Sequence, residues 1–147
     1  MNHKDLAVWK ESMKLVKEVY LLLKDFPSYE QFGICSQMRR AAVSIPSNIA
    51  EGAGRSSDKE LLRFCLISQG SLAELETQLL ISSDLNYIDS KHDVFKQITT
   101  VRKILSGYFN YLNAKTTKQS SSNPKSSSLI TDHYSQKRTC VHPPKRY

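Results

Sequence analysis

No apolar run in this chain of 147 residues approaches the roughly 20 residues that a membrane span needs. The opening Met1-Asn2-His3-Lys4-Asp5 leads straight into an amphipathic pattern and lacks the apolar stretch of a secretory leader. Cysteine is scarce and odd in number (Cys35, Cys65 and Cys140), so the spacing describes no disulfide framework. These absences predict a reducing, cytoplasmic setting and no membrane partner. Gly and Pro number only five each, and no stretch alternates strictly between apolar and polar residues, which argues against an all-β chain.

The patterns of common chemistry are missing too. There is no G-x-x-x-x-G-K-S/T loop, no G-x-G-x-x-G and no H-E-x-x-H. His3, His92, His133 and His142 are scattered, and Cys140 with His142 would be one ligand pair that nothing completes to four. Cys35 and Cys65 sit inside helical patterns, where cysteine acts as a small core residue. The sequence therefore predicts no catalytic residues, no metal and no cofactor.

What is present is helical periodicity. A first stripe runs Leu6, Trp9, Met13, Val16, Tyr20, Leu23 in alternating threes and fours, with Asp5 as N-cap and Phe26-Pro27 as the stop. A second runs Ile34, Met38, Ala41, Ile45, Ile49, with Pro46 inside it as a kink and Gly52 and Gly54 at its end. Ser57-Asp58-Lys59-Glu60 is a capping-box pattern that opens a third helix, striped Leu61, Cys65, Ser68, Leu72, Leu75, Leu79. Leu62, Phe64, Leu66, Ile67, Leu80 and Ile81 widen this helix beyond one seam, which predicts burial on a second side by another subunit. A fourth, capped by Ser90, reads Val94, Ile98, Val101, Leu105, Tyr108, Leu112. Four such helices with short connections predict an all-α, antiparallel up-down-up-down four-helix bundle over residues 1–114.

After Ala114 the pattern collapses into Ser-rich and then basic sequence, and residues 115–147 read as a disordered tail. Charge divides at the same place. Up to Ala114 there are 14 Lys+Arg against 13 Asp+Glu; from Lys115 onward there are 7 against 1. Any nucleic-acid role for the bundle must therefore rest on clustering rather than on net charge.

Two groups of polar residues stand out. Arg40, Asn48, Glu51 and Glu74 read as a polar network fixing the second helix against the third, since partly buried charges need partners. Asn48 and Gly52 have a second reading, as helix terminators. Arg39, Arg55, Lys59 and Arg63 are the candidates for phosphate contact, Lys59 and Arg63 sharing a face at a spacing of four. Their alternative is a solvated face with local pairs to Asp58 and Glu60.

The run Gln37-Met38-Arg39-Arg40-Ala41-Ala42-Val43-Ser44-Ile45-Pro46-Ser47-Asn48-Ile49-Ala50-Glu51-Gly52, followed by Arg63-Phe64 and by Gly70-Ser71-Leu72-Ala73-Glu74-Leu75-Glu76-Thr77-Gln78-Leu79, resembles the 23S rRNA intervening-sequence proteins. Leu6-Ala7-Val8-Trp9 and Phe26-Pro27 add to it, so the likeness covers Leu6 to Leu112. That family is also similar to the accessory proteins of diversity-generating retroelements, pentameric rings of four-helix bundles that bind nucleic acid and a reverse transcriptase. The resemblance implies a homo-oligomer, a pentamer, with RNA or DNA as partner. It does not reach the Ser-rich tail. From a different class comes the reading as a protein–protein interaction scaffold with no nucleic-acid role.

Overall fold

A computed structural model of the chain describes residues 1–121. It contains α1 (Ala7–Leu22), α2 (Ile34–Ala53), α3 (Asp58–Asp84) and α4 (Asp93–Ser121), with single 3-10 turns at His3–Asp5, Leu23–Asp25 and Ser28–Glu30. No strand occurs among the described residues. Each helix packs on the next, α4 closes back on α1, and the diagonal pairs make no comparable contact. The result is an all-α, antiparallel up-down-up-down bundle with α1 and α3 on opposite corners. None of the described helices is long and apolar enough to cross a membrane.

The stripes of α3 and α4 pack as their periodicity predicts. Leu61, Cys65, Ser68, Leu72, Leu75 and Leu79 are buried, as are Val94, Ile98, Val101, Leu105 and Leu112. In α1 the seam is displaced by one residue. Val8, Ser12, Leu15, Val19 and Leu22 are buried; of the expected stripe Leu23 is buried as predicted, while Met13 and Tyr20 are exposed and Leu6, Trp9 and Val16 pack only at the margin. One residue is about 100° of rotation, so the expected stripe becomes a flank of the helix.

Helix ends differ from expectation in instructive ways. Ser57 caps α3, its hydroxyl accepting from Glu60 N at 3.2 Å, but Glu60 turns away to Arg63, so the capping box is half formed. Leu6, not Asp5, stands at the start of α1 and offers no side-chain cap. At α4 the cap is His92 rather than Ser90: its Nδ1 accepts from Val94 N at 3.1 Å. α3 ends on Asn86 at φ 59°, with Asn86 N donating to Ser83 O and Tyr87 N to Ser82 O. That pair of bonds is the Schellman arrangement, and Asn tolerates the left-handed conformation it needs.

α2 is one helix through Pro46, which is buried. Around it α2 and α3 approach most closely. Ser68 Oγ donates to Ile45 O at 3.1 Å, and the Ser44 and Ser71 hydroxyls bond at 2.8 Å. Gly52 extends this approach: a Cβ there would stand 2.7 Å from Phe64 Cβ and 3.0 Å from Leu61 Cδ1. Gly52 is therefore a close-contact residue within the last turn, not the helix stop, which falls at Gly54.

The helix boundary at Ala114 also moves. α4 continues to Ser121, and Lys115 Nζ lies 2.8 Å from an Asp58 carboxylate oxygen. Thr116 and Thr117 hydroxyls donate to the carbonyls of Leu112 and Asn113, both at 2.9 Å. An anchor on α3 and local bonds extend the helix where no apolar stripe remains. The disordered tail expected over 115–147 is thus replaced by helix up to Ser121, and from 122 on it lies outside the described residues.

Candidate nucleic-acid interface

The antiparallel fold gathers the end of α2, the start of α3 and the end of α4 at one end of the bundle. Gly52 lets α3 lie close, and this seats Phe64 against α2 with its side chain buried. Two guanidinium groups lie over that one ring. Arg63 Cζ is 4.5 Å from its centroid and Arg55 Cζ 5.6 Å. Cation–π attraction holds both in place, and each is braced from outside by a carboxylate. Arg55 bonds Glu51 at 2.6 Å, and Arg63 bonds Glu60 at 3.1 Å. The hydrogen bond from Arg63 holds the Glu60 carboxyl below the usual range. A guanidinium has five N–H donors, and these pairings leave several pointing at solvent. Lys59 is exposed, and its side chain has no bond or ion pair among the described residues.

Arg55, Lys59 and Arg63 therefore share one end, and Arg39 does not. Arg39 lies near the start of α2, at the opposite end, where it donates to Gln31 O at 2.7 Å and to Gln31 Oε1 at 3.3 Å. It ties down the α1–α2 connection. The second group also separates. Glu51 pairs with Arg55, Asn48 Nδ2 donates to Ser44 O at 2.8 Å, and Glu74 accepts from Gln78 at 3.2 Å. Arg40 and Glu74 face a common open groove of about 620 Å³ between α1, α2 and α3, yet Arg40 makes no ion pair among the described residues. The link between α2 and α3 runs instead through Asn48, Ser44 and Ser71.

Sequence reasoning missed Phe64 as the platform for two arginines, assigning it only to extra apolar surface. The adjacency Arg63-Phe64 was visible, but the approach of Arg55 depends on the α2–α3 turn. Lys115 was assigned to the tail and is an ordered member of this end. The remaining chemistry is quiet. Burial pushes the Cys65 thiol up to about 11 and raises Cys35 as well, so both stay protonated near neutrality. No group of three metal-ligating side chains gathers among the described residues.

The model of the 23S rRNA-intervening sequence proteins matches residues 4–107. The chain belongs to that family. The match spans α1, α2, α3 and the first half of α4, so Arg55, Lys59, Phe64 and Arg63 fall inside it and Lys115 beyond it. No curated protein matches the chain.

Proposed function

We propose that this family member is a non-enzymatic, homo-oligomeric bundle that binds nucleic acid, RNA or DNA, through phosphate charge and shape. It works in the cytoplasm, as an adaptor, in an assembly like the pentameric rings of the retroelement accessory proteins. The observation that supports the reading is the pair of guanidinium groups on Phe64 beside Lys59, which has no partner among the described residues. That end also carries Lys115, where the segment of 7 basic and 1 acidic residues begins. Preordered donors of this kind position a phosphate backbone without reading bases.

The scaffold reading draws on a different observation, the exposed Leu66, Ile67, Leu80 and Ile81 on α3. Salt titrations of binding to a duplex DNA and a structured RNA separate the two. Each lost phosphate contact lowers the log–log slope by about 0.9 on duplex DNA. Changing Arg55, Lys59 and Arg63 together to Ala should weaken binding at least tenfold at low salt and flatten the slope. Arg39→Ala should leave the slope unchanged. Equal affinity and slope for the triple variant and the parent would remove the bundle as the binding element and favour the scaffold.

A further inference from the structure

Small side chains sink the outer face of α2 between its neighbours. Ser36, Ala41 and Ser44 of α2 and Ser71 of α3 line an open groove of about 620 Å³, which Tyr20 of α1 and Glu74 of α3 border. That volume falls within the roughly 300–1,000 Å³ of small-molecule sites. The hydroxyls of its floor are committed. Asn48 Nδ2 donates to Ser44 Oγ at 3.0 Å, the Ser44 and Ser71 hydroxyls bond each other, and Ser71 Oγ donates to Ile67 O at 3.1 Å. Arg39 also reaches the groove, but its guanidinium is tied to Gln31.

Three other groups are not committed in this way. Ser36 and Arg40, four residues apart on one face of α2, have side chains with no bond or ion pair among the described residues. On the α3 side, Gln78 Nε2 donates to Glu74 Oε1 at 3.2 Å, which leaves Oε2 and further lone pairs of that carboxylate open. Gln78 is itself buried, and its Oε1 has no partner among the described residues. A buried amide that is only half satisfied costs stability, and the one bond its side chain makes holds Glu74 at the groove. A guanidinium and a carboxylate thus share one groove without pairing, beside the half-exposed ring of Tyr20.

We infer that this groove is a nucleotide site that selects guanine. Arg40 and Ser36 take the phosphate, the Tyr20 ring packs on the base, and Glu74 reads its edge. A carboxylate only accepts hydrogen bonds. Guanine offers it two adjacent donors, N1–H and the exocyclic amine, to match two oxygens. Adenine and cytosine each set a ring-nitrogen acceptor beside their amine, and uracil flanks its one N–H with carbonyls. Each of those brings a lone pair against the carboxylate. Stacking on an aromatic ring suits any base, so the choice rests with Glu74. The site uses none of Arg55, Lys59 and Arg63, so it stands apart from the phosphate contacts proposed at that end of the bundle.

Calorimetric titration of the full chain at low salt tests the assignment. The probes are GMP and AMP, and a short oligouridine carrying a single guanine or a single adenine. Guanine should bind about tenfold tighter than adenine, or more, the discrimination of a two-bond base contact. Whether GMP or only the oligonucleotide shows the preference tells a free nucleotide from one within a strand. Glu74→Gln should abolish the preference and keep the affinity for adenine, which a misfolded chain would not. Gln78→Leu, which releases the carboxylate, should lower the preference without changing the affinity for AMP. Arg40→Ala should weaken both bases together. Changing Arg55, Lys59 and Arg63 to Ala should leave the ratio of GMP to AMP affinity as it is in the parent. Equal affinity for the two bases in both forms would overturn the site, and so would a guanine preference that survives Glu74→Gln.

Discussion

The α2–α3 half of the bundle and the α1–α4 half are held by different means. Between α2 and α3 small residues set the approach: Gly52 against Phe64 and Leu61, Ser68 on Ile45 O, and Ser71 on Ser44. The backbones come close, and hydroxyls bond across the seam. α1 and α4 contribute mostly aliphatic side chains, Val8, Leu15 and Val19 sharing one buried cluster with Val94, Ile98, Val101 and Leu105. Polar contact there is peripheral, as in Gln97 donating to Glu11 O at 3.0 Å. The first half depends on fit and the second on area. Fit is intolerant of added volume; area is lost gradually as side chains shrink.

Gly52 gives the largest effect that separates the halves. Its virtual Cβ meets Phe64 Cβ at 2.7 Å and Leu61 Cα at 3.3 Å, atoms that the α3 backbone holds in place. Gly52→Ala should cost about 1–3 kcal/mol and Gly52→Val more, as overpacking does. Gly107 in α4 has nothing within 4 Å, so Gly107→Ala should add about 0.5–1 kcal/mol through helix propensity alone. Urea denaturation of both variants checks the opposite signs. A neutral Gly52→Ala would mean the seam relaxes easily.

Arg39 comes next, because the two ends of α2 use arginine differently. Arg39 is spent on the backbone of the α1–α2 connection, while Arg55 lies on an aromatic ring with donors left over. Arg39→Ala should destabilise by about 1–2 kcal/mol, the range for partly exposed bonds to a charged donor. Arg55→Ala should cost well under 1 kcal/mol, since exposed ion pairs contribute little. Thermal melts of the two variants should therefore rank opposite to their nucleic-acid affinities.

This exchange of roles marks how far the sequence could be read. The α3 and α4 seams were legible because one stripe dominates each helix. In α1 two stripes one residue apart both keep the three–four step. Trp9 and Tyr20 outweighed Ser12 by size, yet the buried Ser12 satisfies itself on Val8 O at 2.7 Å. Gly52 reads as a stop because glycine favours helix ends, and only the third dimension shows Phe64 beside it. Arg39 and Arg40 are adjacent and look alike in sequence. The partner of Arg39 is a backbone carbonyl eight residues earlier, which no side-chain pattern reveals. The gathering of Arg55, Lys59 and Arg63 at one end was legible, because the three lie within eight residues of one another around the α2–α3 connection.

On the α1–α4 side, Glu18 offers a smaller effect with a pH signature. Its Oε2 is buried with no hydrogen-bond partner, and burial, aided by Asp93, raises its pKa. A raised carboxyl binds more protons folded than unfolded. Its contribution is therefore most favourable below the ordinary carboxylate range and is lost as pH rises through the folded value. Glu18→Gln should be stabilising at neutral pH, because it removes a partly desolvated charge that also faces Asp93. The gain should vanish near pH 4. A constant difference across pH would place the effect in packing instead.

The smallest effect belongs to Ser57, which begins α3 and so belongs to the tight half without touching its seam. Its hydroxyl satisfies one of the amides that every helix start leaves free, and the 3.2 Å bond is exposed to water. Asp58 and Glu60 in the first turn already favour the helix dipole, so part of the capping effect is supplied twice. Ser57→Ala should therefore cost about 0.5 kcal/mol, the low end for an N-cap, and Ser57→Asp should restore it. If fit governs this half, Gly52→Ala must exceed Ser57→Ala severalfold in the same urea titration. Equal costs would mean that the start of α3, rather than its seam with α2, limits the stability of the pair.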